Sequence, residues 1–421
     1  MRNSGFTLPD GKFVRLWTGS ASSGMATWAL PFLMGFAVSN GVLSSVVLGS
    51  SLAIRTVGFL IAVPIGGILA DRLGSRRILF ASGLIAAGGT VLMMHYLGAN
   101  DVCAQMVFAL GMFLSGAGQG ACRPAYQAIV PMLVAPKNLQ SANAALSLAV
   151  RATNLTGPAA ATLLAATAGL NVAFVAIALL WLLSAMLPPW PQTPHTDRSP
   201  GDARRTLLNR IADDLAEGFR EALRHSWFVA GLGALALVIG AGYSVTSVLL
   251  PVLSNQVYDG PVLLTGCTMA LLCGAMAGAL TVARWQPDYR GRWAIGGLCI
   301  YGFVPLSLLV PEHFWIPLIA YFIAGWGLEL FNVIWFTAIQ QEVSPDKLAR
   351  VSSLDFIVSY GLAPVGLSAI GPLSVHFGAT PILLAASVIC IGAASLALAI
   401  PSSSYFSTET AGTPSPGRRE K

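Results

Sequence analysis

The sequence predicts an all-α integral membrane protein of twelve transmembrane helices, built from a duplicated six-helix unit. Three observations carry this. Charged residues make up only 10% of the 421-residue chain against 55% hydrophobic, too little charge to solvate the surface of a soluble domain. Apolar runs long enough to cross about 30 Å of hydrocarbon at 1.5 Å per helical residue recur along nearly the whole chain. Finally, Phe113, Gly116, Gly118, Pro136 and Leu139 return 209 residues later as Phe322, Gly325, Gly327, Pro345 and Leu348, and Gly157 and Gly169 match Gly366 and Gly378 at the same offset. One constant shift through two helices and the turn between them marks an internal repeat.

Apolar runs read against turn signals place the spans at about 14–38, 42–69, 78–98, 104–132, 139–168, 171–188, 227–252, 260–284, 293–311, 314–340, 348–375 and 379–400. Residues 1–187 then form an N-terminal six-helix bundle and 227–400 a C-terminal one. Met1 to Asp10 offer no apolar run ahead of a small-residue cleavage site, so the first span is expected to be retained. Between the bundles, 188–226 opens with prolines and turns amphipathic. Leu208, Ile211, Leu215, Phe219 and Ala222 form a helical stripe, with Arg210/Asp214 at i,i+4 and Glu221/Arg224 at i,i+3. That pattern predicts a linker helix along the cytoplasmic surface. The Ser-, Thr-, Pro- and Gly-rich segment 401–421 has the composition of a disordered cytoplasmic tail.

Charge placement orients the chain. Of 24 lysines and arginines, 21 fall in segments on one side of these spans or at the span ends that border them (Arg15, Arg284 and Arg350), three (Arg55, Arg123 and Arg151) lie deep within spans, and none falls in the five loops on the other side. Cytoplasmic loops carry the positive charge, so both termini are expected inside, in a bacterial inner membrane. The net charge of +6 is spread over short loops and forms no basic face for nucleic acid. Six cysteines lie in or beside apolar segments, where thiols pack. His95, His195, His225, His313 and His376 are scattered, with no metal-ligand spacing. Neither cofactor nor metal is predicted, and a multispan membrane enzyme, which needs a reactive cluster, is the remote alternative.

The turn between the second and third spans is the most distinctive stretch. Gly67, Asp71, Arg72, Gly74, Arg76 and Arg77 stand in the pattern Gly-x3-Asp-Arg-x-Gly-x-Arg-Arg, which resembles the signature loop of the major facilitator superfamily. Further patterns resemble its twelve-helix exporter branch of macrolide and enterobactin exporters: Arg55 ahead of Pro64, Pro124-Ala125 leading to Pro131, Leu139-Gln140 with Ala142-Asn143-Ala144, and Gly157-Pro158 ahead of Gly169. The second half's loop, Asp288 to Arg292, is degenerate. The resemblance implies two parallel six-helix halves with a solute site near the midplane. It also implies gating by the loop, with Asp71 facing the positive amino terminus of the eleventh helix near Pro345 to Leu348.

Charges within spans are the candidate functional groups, because each costs at least about 2.5–3.5 kcal/mol on insertion scales and asks for a partner or a wet cavity. Arg55, Arg123 and Arg151 lie at comparable depth and are substrate-cavity candidates, together with the aromatics Trp28, Tyr126, Tyr243, Trp326 and Tyr360. Their balance favours an anionic solute; the competing reading holds the arginines by carbonyls and by Glu329, leaving a neutral aromatic pocket. Glu329, near mid-depth, is the leading proton-coupling candidate and Asp355 the second, with a cap or partner of Arg350 as the other reading of Asp355. Drug-exporting relatives often carry an acid in the first helix, where this chain reads Gly24-Met25-Ala26-Thr27-Trp28. The expected function is proton-coupled efflux, as an antiporter, of a small organic compound such as a drug, an antibiotic or a siderophore-like product. Uptake or facilitated diffusion of an organic anion by the same fold is the alternative. The expected partners are that solute, protons and the lipid bilayer, and the chain is expected to act as a monomer.

Overall fold

The computed structural model describes residues 11–97, 101–190, 207–285 and 287–407. Among them there is helix and no strand. In order they are α1 (Gly11–Ser39), α2 (Ser45–Leu73), α3 (Ser75–Tyr96), α4 (Val102–Leu133), α5 (Leu139–Ala168), α6 (Leu170–Met186), α7 (Leu207–Arg224), α8 (Ser226–Leu237), α9 (Ser244–Tyr258), α10 (Val262–Arg284), α11 (Arg290–Ile300), α12 (Phe303–Ser307), α13 (Trp315–Glu342), α14 (Leu348–Phe377) and α15 (Ala379–Leu398). Each predicted span falls on one helix or on two consecutive ones. Eight segments of the described residues are long and apolar enough to cross a membrane by length and composition, and the 17-residue α6 is a shorter apolar helix.

Two of the predicted spans are interrupted. The seventh runs from α8 to α9 through a π-helical stretch, Val238–Tyr243, a form that costs backbone regularity and recurs at functional positions. The ninth breaks between α11 and α12 at Tyr301-Gly302.

The chain forms two compact units, Met1–Gly218 with Val343–Ile357, and Phe219–Glu342 with Val358–Lys421. Within the first, α2 and α3 pack on α4, α1 on α5 and α6, and α3 on α6. Within the second, α10 and α11 pack on α13, and α15 on α8 and α11. These four repeat, one unit later, the pairings of α2 and α3 with α4 and of α6 with α1 and α3. The repeat glycines explain why: a Cβ at Gly116 would strike the Arg55 carbonyl of α2, and one at Gly325 the Leu271 carbonyl of α10. Equivalent small residues let equivalent backbones touch.

The expected tail is a correction. Pro401–Ser404 forms a 3-10 turn, and Phe406 is fully buried in the second unit. Its ring lies 5.4 Å from Trp227 and 5.5 Å from Trp335, centroid to centroid, and the cluster holds its backbone at φ 50°, a left-handed conformation that is rare for bulky residues. Ser402 Oγ meets Ser226 Oγ at 2.8 Å, and Arg292 Nε donates to Ser404 Oγ at 3.2 Å. The degenerate second-half loop therefore packs against the turn Pro401–Ser404. Residues 408–421 and the linker's opening stretch, 191–206, lie outside the described residues, as do the side chains of Leu208, Arg210, Ile211, Asp214 and Leu215. The predicted linker helix is α7. Ala222 is buried, Phe219 is exposed, and Glu221 and Arg224 pair at 3.4 Å.

Candidate functional site

The signature loop is almost no loop at all. Gly74 alone separates α2 from α3, at φ 97° and ψ 133°, a conformation that only glycine adopts readily. The tight reversal leaves Asp71 in the last turn of α2, where it meets the start of α14. Asp71 Oδ1 accepts the Ala349 backbone N–H and Oδ2 that of Arg350, each at 3.1 Å. The first N–H groups of a helix have no intrahelical acceptor and carry the positive end of its dipole, so a carboxylate there satisfies both. Gly67, one turn earlier, makes the approach possible. A Cβ there would lie 2.8 Å from the Ala349 carbonyl and 3.0 Å from Ser353 Cβ.

Arg350 completes the contact. Its Nε donates to Asp71 Oδ2 at 3.1 Å, Nη1 to Glu217 Oε2 at 2.8 Å and Nη2 to the Asp346 carbonyl at 3.1 Å. The Asp71 and Arg350 side chains are 1% and 2% exposed, whereas Glu217 on α7 is 39% exposed. Lys347 Nζ lies 3.6 Å from Glu217, and Gly218 lets α7 lie against Arg350 Cβ. Three segments far apart in sequence therefore converge on one buried guanidinium within the first unit. Glu217 and Lys347 were absent from the sequence-derived set. Their only sequence signal is a charged position on an amphipathic helix and a basic residue near a helix start, neither of which names a partner.

The other loop arginines divide. Arg76 is buried, donates to the Met186 carbonyl at the end of α6 at 3.2 Å, and lies 4.9 Å from the Trp190 ring. A cation on a helix carboxy terminus beside an aromatic face is well placed structurally. Arg77 is exposed and reaches the Leu73 carbonyl at 3.4 Å, and Arg72 is exposed beside it.

Among the charges within spans, Arg55 Nη2 donates to the Thr27 carbonyl of α1 at 3.2 Å and to Gln119 Oε1 of α4 at 2.6 Å. Arg123 follows Gln119 by one helical turn and lies within electrostatic reach of Arg55. Arg151 is half-buried on α5. Glu329 on α13 is fully buried at the position that the 209-residue offset pairs with Gly120, and Gly278 of α10 closes on its Cβ. Asp355 is buried one and a half turns beyond Arg350.

The aromatic set needs correcting at Tyr126. It is 6% exposed and its hydroxyl meets Ser184 Oγ of α6 at 3.1 Å, so it packs inside the first unit instead of lining an open cavity. Trp326 is half-buried, with its indole N–H on Thr281 Oγ1 at 3.2 Å. Trp28 is half-buried, while Tyr243, at the end of the π stretch, and Tyr360 are 46% and 44% exposed. An open apolar groove of about 440 Å³ between α1 and α5, lined by Phe32 and Phe36 among others, carries no charged side chain.

Comparison with known proteins agrees with this architecture. The chain is 25% identical over 370 residues to macrolide efflux protein A of Streptococcus pyogenes, covering 85% of this chain and 87% of that protein. It is 26% identical over 314 residues to the enterobactin exporter EntS of Escherichia coli O1:K1 / APEC, covering 73% and 71%. Its fold matches the human organic anion transporter MFSD10 with a TM-score of 0.71 at 17% identity, over 92% of this chain and 99% of that one. A bacterial homologue of the iron transporter ferroportin, in an outward-facing state, matches with a TM-score of 0.72 at 15% identity, over 93% and 99%. The profile of the Major Facilitator Superfamily matches residues 16–367, and with the duplicated bundles and the signature turn described above, this chain belongs to that superfamily.

Proposed function

We propose that this chain exports a small, partly apolar organic compound from the bacterial cytoplasm by alternating access, as a proton-coupled antiporter acting as a monomer in the inner membrane with both termini cytoplasmic. The observation that carries the reading is the contact of Asp71 and Glu217 on Arg350. A buried charge pair that caps a helix start is strong when closed and, unlike an apolar seam, becomes hydrated when opened, which suits a gate with two discrete states. Export is supported by the relatives, one a macrolide efflux protein and one an enterobactin exporter. Glu329 is the proton carrier in this reading, as a carboxyl fully buried within a span, where an ionisable group is costly and marks a functional position. Arg55, Arg123, Arg151, Trp28, Trp326, Tyr243 and Tyr360 remain the cavity candidates.

The test is accumulation of a panel of anionic, neutral and cationic compounds, erythromycin among them, in an efflux-deficient bacterial strain. Expression of the chain should lower the steady-state level of at least one compound, and a protonophore or Asp71→Asn should restore it. Raised accumulation, or efflux that survives collapse of the proton gradient, would overturn the direction or the coupling respectively. Reporters fused after Pro191 and after Lys421 should read cytoplasmic, and one inserted at Asn255 external.

A further inference from the structure

The first unit contains two guanidiniums that no other described residue neutralises. Both acceptors of Arg55, the Thr27 carbonyl and the Gln119 amide oxygen, are uncharged. Its Nε is buried and has no hydrogen-bond partner among the described residues, and the same holds for Nε of Arg123 and for Oγ1 of Thr27. Neither arginine joins an ion pair among the described residues. Arg350 makes the contrast, since two carboxylates hold it. Arg76 also has nitrogens without acceptors, but it lies at a span end against the Trp190 and Phe80 rings.

Two cations in reach of one another inside a span are costly, because each loses hydration and repels the other. Water would satisfy the free N–H groups and leave the repulsion; an anion removes both. The two arginines come from α2 and α4, which are locked together by the close approach of Gly116 to the Arg55 backbone, so the pair is held in place before any ligand arrives. We infer that Arg55 and Arg123 form a binding site for an oxyanion, a carboxylate or phosphate ester carried on a partly apolar organic compound. Gln119 orients Arg55 between them, and the Thr27 hydroxyl is a further donor. The identification of this anion with the transported compound rests on the export reading above; the binding itself does not.

Isothermal titration of the purified full-length protein with benzoate, phenyl phosphate, benzamide and benzylammonium tests it. Wild type should bind benzoate or phenyl phosphate at least tenfold more tightly than benzamide, with no measurable benzylammonium binding, and the stronger of the two anions identifies the oxyanion. Arg55→Gln and Arg123→Gln should each lower anion affinity at least tenfold, and the lysine versions less, because an ammonium keeps the charge without the fork. Gln119→Glu separates ligand binding from mere packing. It places a carboxylate where an oxygen already lies 2.6 Å from Arg55 Nη2, so it should erase the anion preference while the melting temperature of the empty protein holds or rises. Equal affinity of wild type for benzoate and benzamide, or an undiminished anion preference in Gln119→Glu, would overturn the site. Efflux without any charge preference would sink the identification of the bound anion with the transported compound and leave export standing. Anion-selective binding without efflux of any panel compound would leave the site standing and sink export.

Discussion

Replacing Asp71 by Asn tests the proposed gate most directly. The carboxylate accepts three bonds, two from the first N–H groups of α14 and one from Arg350 Nε, in a site where both side chains are at most 2% exposed. Removing one partner of a buried ion pair costs about 3–5 kcal/mol when the other charge is stranded. Here Arg350 keeps Glu217 at 2.8 Å, and asparagine still offers one oxygen to a backbone N–H, so the loss is smaller. Set beside a helix-terminus contribution of about 0.3–1 kcal/mol, a net weakening of about 2–3 kcal/mol follows, which is a shift of roughly 30- to 150-fold toward the open contact. Glu217→Gln removes a half-exposed partner, which solvent screens, and should cost only about 1 kcal/mol. Because both carboxylates act on one guanidinium, the double variant should depart from the sum of the two. The assay is labelling of a Ser353→Cys reporter, in a background lacking the native cysteines, by a membrane-impermeant maleimide. Ser353 is fully buried beside Gly67, so labelling reports separation of α14 from α2. The rate should rise by at least tenfold with Asp71→Asn and by a few-fold with Glu217→Gln. Unchanged labelling in Asp71→Asn, with transport equal to wild type at equal expression, would remove this contact from the mechanism.

Other perturbations follow from single features. Gly74→Ala forces a Cβ into a positive-φ turn and should destabilise by about 1–3 kcal/mol, seen as a lower melting temperature or yield than the neighbouring Ser75→Ala. Phe406→Ala opens a cavity among Trp227, Phe331 and Trp335 at a cost of up to about 3–5 kcal/mol, whereas truncation after Ser407 should leave thermal stability unchanged. Proteolytic cleavage near residue 400 should accelerate in the first and not in the second. Glu329→Gln should leave substrate exchange measurable while abolishing accumulation driven by a pH gradient; concentrative transport with unaltered pH dependence would move the proton carrier elsewhere.

The properties legible in the sequence are those that depend on position along the chain. Span lengths come from apolar runs, the duplication from one constant offset, and the Gly74 reversal from local spacing, because hydrophobic matching and backbone sterics act within a few residues. Depth is an expectation on the same basis: counting from Pro136 puts Arg123 and Arg151 at one level, and Arg55 sits halfway along its own span. Which way a helix turns its side chains was not legible, because azimuth is set by packing against neighbours far away in sequence. Hence Tyr126 faces Ser184 of α6, and Arg55 reaches Gln119 of α4 within electrostatic reach of Arg123. The partner of Asp71 was half legible: a helix start attracts a carboxylate wherever it lies, but Arg350 and Glu217 join it only because α7 and α14 are brought together across 133 residues. The tail shows the same division. Its composition lacks the apolar surface for a fold of its own, and a single aromatic, Phe406, orders the segment as far as Ser404 because a tryptophan-lined pocket already exists to receive it.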